Sequence, residues 1–202
     1  MPSSKNKHLY VPIFRRRRIG ATDYRARKKM ISSSEPLLAV RVSSKNVSAQ
    51  FISPKPEGDH VLSSAHSRNL RKMGWKGSLK SIPACYLLGL LAGRKAKENG
   101  VEKAHLYTGV SRFVDGSRVS ALVKGVKDAG VDVPMSDKAV PSEDSISGKV
   151  TADYAKSLLT DNKEQYSRLF SGLLKAGFKP EEYTENAMAL KQVILKGTKG
   201  AN

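Results

Sequence analysis

Apolar positions in this chain recur at two spacings, one after the other. Leu38, Val40 and Val42 alternate with Ala39 and Arg41, and Val47, Ala49 and Phe51 alternate with Ser48 and Gln50. A period of two puts successive side chains on opposite faces of a strand, so two strands are predicted, joined at Ser43-Ser44-Lys45-Asn46. On composition alone that short polar connection is a plain hairpin turn. After the loop Pro54–Asp59, His60–Ser64 is predicted as a third strand, and Ser67 as the cap of a short helix bearing Leu70 and Met73.

From Ile82 to Asn99 the spacing changes to that of a helix. Pro83 suits its first turn and Asn99-Gly100 its end. Ala84, Cys85, Leu87, Leu88, Leu90, Leu91 and Ala92 cover most of its circumference, so it should lie against a sheet and be covered elsewhere too. Gly89 and Gly93 permit close backbone approach on one side. Ala104–Thr108 is predicted as a buried strand, and Ser117 as the cap of a helix whose Val119, Leu122, Val123 and Val126 share a face, ending at Gly130. Alternating strands and helices over residues 37–134 predict an α/β fold: a layered domain with a mixed β-sheet packed by helices. From Pro141 the pattern is polar and helical. One helix is predicted near Gly148–Leu159, one bearing Tyr166, Leu169, Phe170, Leu173 and Leu174, and one after Pro180 with Tyr183, Ala187, Leu190 and Ile194. Such stripes need a surface to bury against, on this chain or on a neighbour in an assembly.

Met1–Gly20 lacks periodicity and is expected to be an irregular arm, with Tyr10 and Phe14 able to dock or stack. Thr22 is expected to cap a helix from about Asp23 to Ile31, with Tyr24 and Ile31 facing inward. The implied division is an arm over 1–22, a core domain over 23–140 and a helical extension over 141–202. A chain of 202 residues suits one domain of roughly 150 residues with appendages.

Charge changes this picture. Within Phe14–Lys29, the cations Arg15, Arg16, Arg17, Arg18, Arg25, Arg27, Lys28 and Lys29 face one acid, Asp23. Crowded guanidinium groups repel, so such a stretch should stay extended until a polyanion neutralises it, and the planar donor fork of arginine suits phosphate oxygens and stacked bases. Arg25 and Lys29 share one side of their helix and can address neighbouring phosphates. The formal net charge of +18 divides as +9 over residues 1–29, +8 over 30–140 and +1 over 141–202. The field is therefore N-terminal and central, and nucleic acid is the partner it suits. Trp75-Lys76-Gly77-Ser78-Leu79-Lys80-Ser81 has two readings: an aromatic and its lysines meeting a nucleic-acid backbone, or a tryptophan packed under its own loop.

Other chemistry finds little support in the sequence. The longest apolar run, Ala84–Ala92, is too short to span a bilayer, and the N-terminus lacks the apolar segment of a secretory signal. A lone Cys85 allows no internal disulfide and fits a reducing, cytoplasmic compartment. His60 and His66 lie near Asp59, Ser63 and Ser64, yet no spacing converges on a metal. No phosphate-binding GxxxxGK[ST] loop, dinucleotide GxGxxG or GxSxG elbow occurs. No enzyme, metal, cofactor, membrane or small-molecule substrate is expected.

Five segments stand in one order between residues 15 and 134, the most telling pieces of a match that runs almost the whole length: RRRRIGATDYRARKKM, AVRVSSKNVSAQ, LSSAHSRNLRKMGWKG, IPACYLLGLLAGRKA and KGVKDAGVDVP. Together they resemble the archaeal and eukaryotic type of the large-subunit ribosomal protein that binds 5S rRNA, family eighteen of the large subunit. The resemblance implies a mixed α/β domain with a basic N-terminal arm and a helical C-terminal extension. Its implied partners are 5S rRNA, then 23S rRNA and neighbouring ribosomal proteins of the central protuberance. It implies rRNA contacts by Arg15–Arg18 with Tyr24, Arg25, Arg27, Lys28 and Lys29. A second contact would come from Ser43, Ser44, Lys45 and Asn46, and a third from His66, Ser67, Arg68, Arg71, Trp75 and Lys76. The competing expectation is an RNA-binding assembly factor or RNA chaperone that the mature subunit does not retain.

Overall fold

The computed structural model describes residues 12–33 and 35–196, so the expectation for Tyr10 lies outside the described residues. In chain order the elements are α1 (Arg15–Arg18), α2 (Tyr24–Ile31), β1 (Leu37–Val42), β2 (Val47–Ser53), β3 (His60–His66), α3 (Ser67–Lys72), α4 (Ile82–Glu98), β4 (His105–Tyr107) and α5 (Arg118–Asp128). Beyond them lie α6 (Glu143–Ser147), α7 (Lys149–Asp161), α8 (Lys163–Leu169), α9 (Ser171–Lys175) and α10 (Tyr183–Lys196).

The sheet has the order β3-β2-β1-β4 and is mixed as expected. The pairs β1–β2 and β2–β3 are antiparallel, whereas β1–β4 is parallel. Register follows the sequence alternation: Leu38 opposes Phe51, Val40 opposes Ala49, and Ala49 in turn opposes Ala65. These side chains form the inner face, buried with α4 and α5 in one apolar core. The outer face is thinner. Leu37, Ala39 and Ile52 are covered there by Met30 of α2 and by Tyr107.

Helix α4 is the hub of the packing. Ser81 caps it by accepting from the Ala84 N–H at 3.4 Å, and Asn99 closes it. It runs against α5 with backbones in direct contact. A Cβ on Gly89 would strike the Leu122 carbonyl, one on Gly125 the Tyr86 carbonyl, and one on Gly93 would lie 2.8 Å from the Ala129 Cβ. Only glycine permits that separation. Cys85 is fully buried here, and burial pushes its thiol up to about 12, as suits packing material rather than a nucleophile. On its remaining side α4 receives α10, whose Tyr183, Ala187, Leu190 and Ile194 are buried in the same core. The Arg94 guanidinium donates to the Ile194 carbonyl at 2.6 Å, satisfying one of the free carbonyls at the end of α10. The extension thus buries its stripe on this chain.

Several expectations need correction. The predicted buried strand Ala104–Thr108 is only His105–Tyr107, with His105 exposed and Leu106 and Tyr107 half-buried, while Ala104 just before it is buried. It lies at the sheet edge, paired to β1 alone, and His105 Nε2 meets a Glu35 carboxylate oxygen at 2.8 Å. The third strand continues past Ser64 to His66, because Ser48 and Ala49 still offer it partners. The helix expected to carry Tyr166 through Leu174 is broken at Phe170 into α8 and α9. The break lets Phe170 and Leu174 join Tyr166 in a small separate cluster while Leu173 packs against the main core. Helix α6 is an addition to the predicted elements. It is a short turn with acids at its start and one buried apolar residue, Ile146, too little to make a pattern.

Candidate nucleic-acid interface

Two basic surfaces emerge, one beside the arm and one beside the hairpin loop. In the first, the expectation of an irregular arm is corrected at Arg15–Arg18, which form one helical turn. Arginine is a good helix former, and the turn is closed by Gly20 at φ +65°. Consecutive helical residues point about 100° apart, so the four guanidiniums fan out around the turn. All four residues are exposed. Arg16 Nε donates to Thr22 Oγ1 at 2.7 Å, which anchors the turn to the segment leading into α2.

That bond occupies the hydroxyl expected to cap α2. Asp23 is the cap instead, its carboxylate accepting from the Arg25 and Ala26 N–H groups at 2.9 and 3.2 Å. A carboxylate is favoured at a helix N-terminus both as acceptor and by its charge. Tyr24 and Ile31 are not fully buried, with Tyr24 tilted against Phe14 at 5.6 Å between ring centroids. Met30 is the side chain that reaches the sheet. Arg25, Lys28 and Lys29 remain outside the core, none of them buried.

Arg27 departs from expectation. Its guanidinium is bidentate to Asp59 at 2.7 and 3.2 Å and reaches the Lys55 carbonyl at 3.5 Å, so it ties α2 to the β2–β3 loop. The hydrogen bond to Asp59 raises its already high pKa. Its charge is paired within the chain, and it holds α2 in place. Beside it lies a cleft of about 320 Å³ lined by Arg16, Thr22, Tyr24, Arg27, Arg41, Asp59 and Tyr107. Arg41, exposed on β1, escapes sequence reading because an alternating strand position gives no hint of which basic side chains will converge.

The second surface unites two regions that stand apart in the sequence. Loop 43–46 and α3 face each other across an open groove of about 580 Å³ lined by Ser44, Lys45, Asn46, Arg68, Arg71, Ser78, Leu79 and Lys80. Four cations line it and no carboxylate does. Arg68 and Arg71 are three apart on α3 and both exposed, the spacing that puts two side chains on one helix face. Lys80 and Ser78 lie outside the expected contacts. Their signal is the Trp75–Ser81 loop itself, whose tryptophan draws attention away from its far end.

Behind the groove, polar side chains fix the backbone. Ser43 Oγ donates to the Asn46 carbonyl at 2.8 Å and accepts from the Asn46 N–H at 3.0 Å, so this hydroxyl serves the turn. Ser67, an expected contact, is instead fully buried. Its hydroxyl accepts from the Val47 N–H at 3.1 Å and donates to Asn46 Oδ1 at 3.3 Å, clamping the loop to α3. His66, not Ser67, caps α3, with Nδ1 accepting from the Arg68 N–H at 3.1 Å. Trp75 is likewise no surface aromatic. It is 1% exposed, with Nε1 donating to the Ser78 carbonyl at 3.1 Å, which is the packed-under-its-loop alternative. Lys76 is exposed but does not line the groove.

Among the described residues no cluster of histidine, cysteine or carboxylate side chains is placed to hold a metal, and no helix is long and apolar enough to cross a membrane. The arrangement offers clustered fixed cations with hydroxyl and amide donors between them, the chemistry that binds a phosphodiester backbone.

Comparison with known proteins agrees with this chemistry. A family model described as "Ribosomal large subunit proteins 60S L5, and 50S L18" matches residues 9–103, a span that includes both basic surfaces. Large ribosomal subunit protein uL18 of Thermofilum pendens is 45% identical over 184 residues, which cover 91% of this chain and 93% of that protein.

Proposed function

Because the chain belongs to the uL18 family of large-ribosomal-subunit proteins, we propose that it binds 5S rRNA and helps attach it to 23S rRNA in the central protuberance. Membership of the family makes it a structural constituent of the large subunit and gives it rRNA and ribosomal proteins as neighbours. The observation that carries the finer reading is the groove in which Lys45, Arg68, Arg71 and Lys80 stand together without a carboxylate.

The mechanism has a rigid part and an adaptable part. The groove is held by Ser67 and the capped α3, so its donors meet phosphates and 2′-hydroxyls of a preformed RNA shape with little reorganisation. Arg15–Arg18 radiate from a short exposed turn and complete their ordering between RNA segments, where phosphates lie on more than one side. Affinity comes mainly from release of counterions, so binding falls steeply with salt.

The test is titration of 5S rRNA with the full chain at several salt concentrations. Arg71→Ala and Lys80→Ala are each expected to weaken binding and to lower the slope of log K against log salt by about 0.7–0.9. Binding unchanged in both strength and slope would remove the groove from the interface.

A further inference from the structure

One wall of the groove is built from a loop whose support comes from the far end of the chain. We infer that Tyr183, at the start of α10, is a positioning residue for RNA binding: it holds the loop Trp75–Ser81, and with it Ser78 and Lys80, in the geometry that the groove requires. This rests on the groove being an RNA site.

Tyr183 is 2% exposed, and its ring meets Trp75 edge-on at 5.3 Å and Phe178 at 5.7 Å. Its hydroxyl donates to Ser81 Oγ at 2.8 Å, and Ser81 Oγ donates onward to the Ser78 carbonyl at 2.9 Å. The same carbonyl accepts from Trp75 Nε1. A continuous run of hydrogen bonds therefore links the extension to the backbone of a groove-lining residue. Burial pushes the phenol of Tyr183 up, so it remains a donor. Gly77 closes the contact from the other side. A Cβ there would lie 2.8 Å from Tyr183 Oη and 2.9 Å from Trp75 Cζ2, so the loop backbone rests directly on both rings.

Nothing in this arrangement carries charge, and Tyr183 does not line the groove. A residue acting in this way changes affinity through the placement of Lys80 rather than by adding a phosphate contact. The chain has one tryptophan, so emission from Trp75 reports on the loop directly.

The experiment uses the full chain and a 5S rRNA transcript, with Tyr183→Ala, Tyr183→Phe, Lys80→Ala and the double variant Tyr183→Ala/Lys80→Ala. Tyr183→Ala is expected to shift Trp75 emission to the red and to weaken binding by about tenfold, while Tyr183→Phe, which keeps the ring contacts but removes the donor to Ser81 Oγ, keeps the emission and loses only part of the affinity. On the Lys80→Ala background the cost of Tyr183→Ala should shrink, because the two act through one loop. Where Tyr183→Ala does not fold, Gly77→Ala presses on the same two rings and must give the same emission shift and loss. Lys80→Ala weakening binding while Tyr183→Ala or Gly77→Ala moves the emission without moving affinity overturns the inference alone. So do fully additive losses in the double variant. Lys80→Ala without effect overturns the inference, and Arg71→Ala also without effect overturns the RNA reading of the groove.

Discussion

The two ends of this chain are attached to its body by opposite means. No side chain of α1 or α2 is fully buried, and among the described residues the N-terminal segment is held to the body by the half-covered Met30 and by Arg27, which pairs with Asp59 and reaches the Lys55 carbonyl. The C-terminal extension carries almost balanced charge and sinks Tyr183, Ala187, Leu190 and Ile194 into the core of α4. Apolar burial of that kind is worth about 1.5–3 kcal/mol per large side chain, whereas an ion pair near the surface contributes at most about 1 kcal/mol. The difference comes from what each end is made of. A segment that keeps its cations in water for a polyanion cannot also bury a wide apolar stripe, so its order depends on the partner.

Three variants test that contrast. Replacing Arg15–Arg18 together by alanine should have the largest effect: rRNA affinity falls by about two to three decades at moderate salt and the salt slope drops by about three. Thermal stability should hold, since none of the four is buried. A lowered melting temperature would mean that the arm is part of the fold after all. Ile194→Ala comes next, with an expected loss of about 2–5 kcal/mol in chemical denaturation, the cost of a cavity at a fully buried site. Its salt slope for rRNA should be that of the unaltered protein, and a flattened slope would place phosphate contacts on the extension. Asp59→Asn should have the smallest effect. It costs about 1 kcal/mol or less in stability and frees Arg27, so rRNA binding tightens slightly and its slope steepens by up to about one. Weaker binding in this variant would show that the placement of α2 matters more than the charge released.

What can be read from the sequence is local. Helix α4 is legible to within a residue because its apolar spacing, its Pro83 and its Asn99-Gly100 end all lie in or beside the element. The strands β1 and β2 are legible from alternation alone. Recognition of the arm as an anion-binding segment needs only its charge. What escapes depends on residues distant in sequence. Arg27 reads as one more free cation until the fold brings Asp59 to it. Ser67 reads as a helix cap and Trp75 has two readings until Asn46 and Tyr183 close over them. The union of loop 43–46, α3 and Lys80 into one groove is likewise a product of tertiary packing. The short strand β4 reads as buried because apolar Leu106 says nothing about which edge of the sheet it will occupy, whereas Ala104 just before it is buried.

The parallel pairing of β1 with β4 constrains the order in which the molecule can be assembled. On a growing polypeptide, β1, β2 and β3 emerge as neighbours and can pair by short antiparallel connections, but the fourth strand arrives only after α3 and α4 have been made. Until then the open side of β1 has no hydrogen-bonding partner from its own chain, and non-local closure of this kind is slow. Vectorial synthesis therefore leaves a nascent sheet with one unfinished margin, met by a three-residue strip that is made only after the long helix.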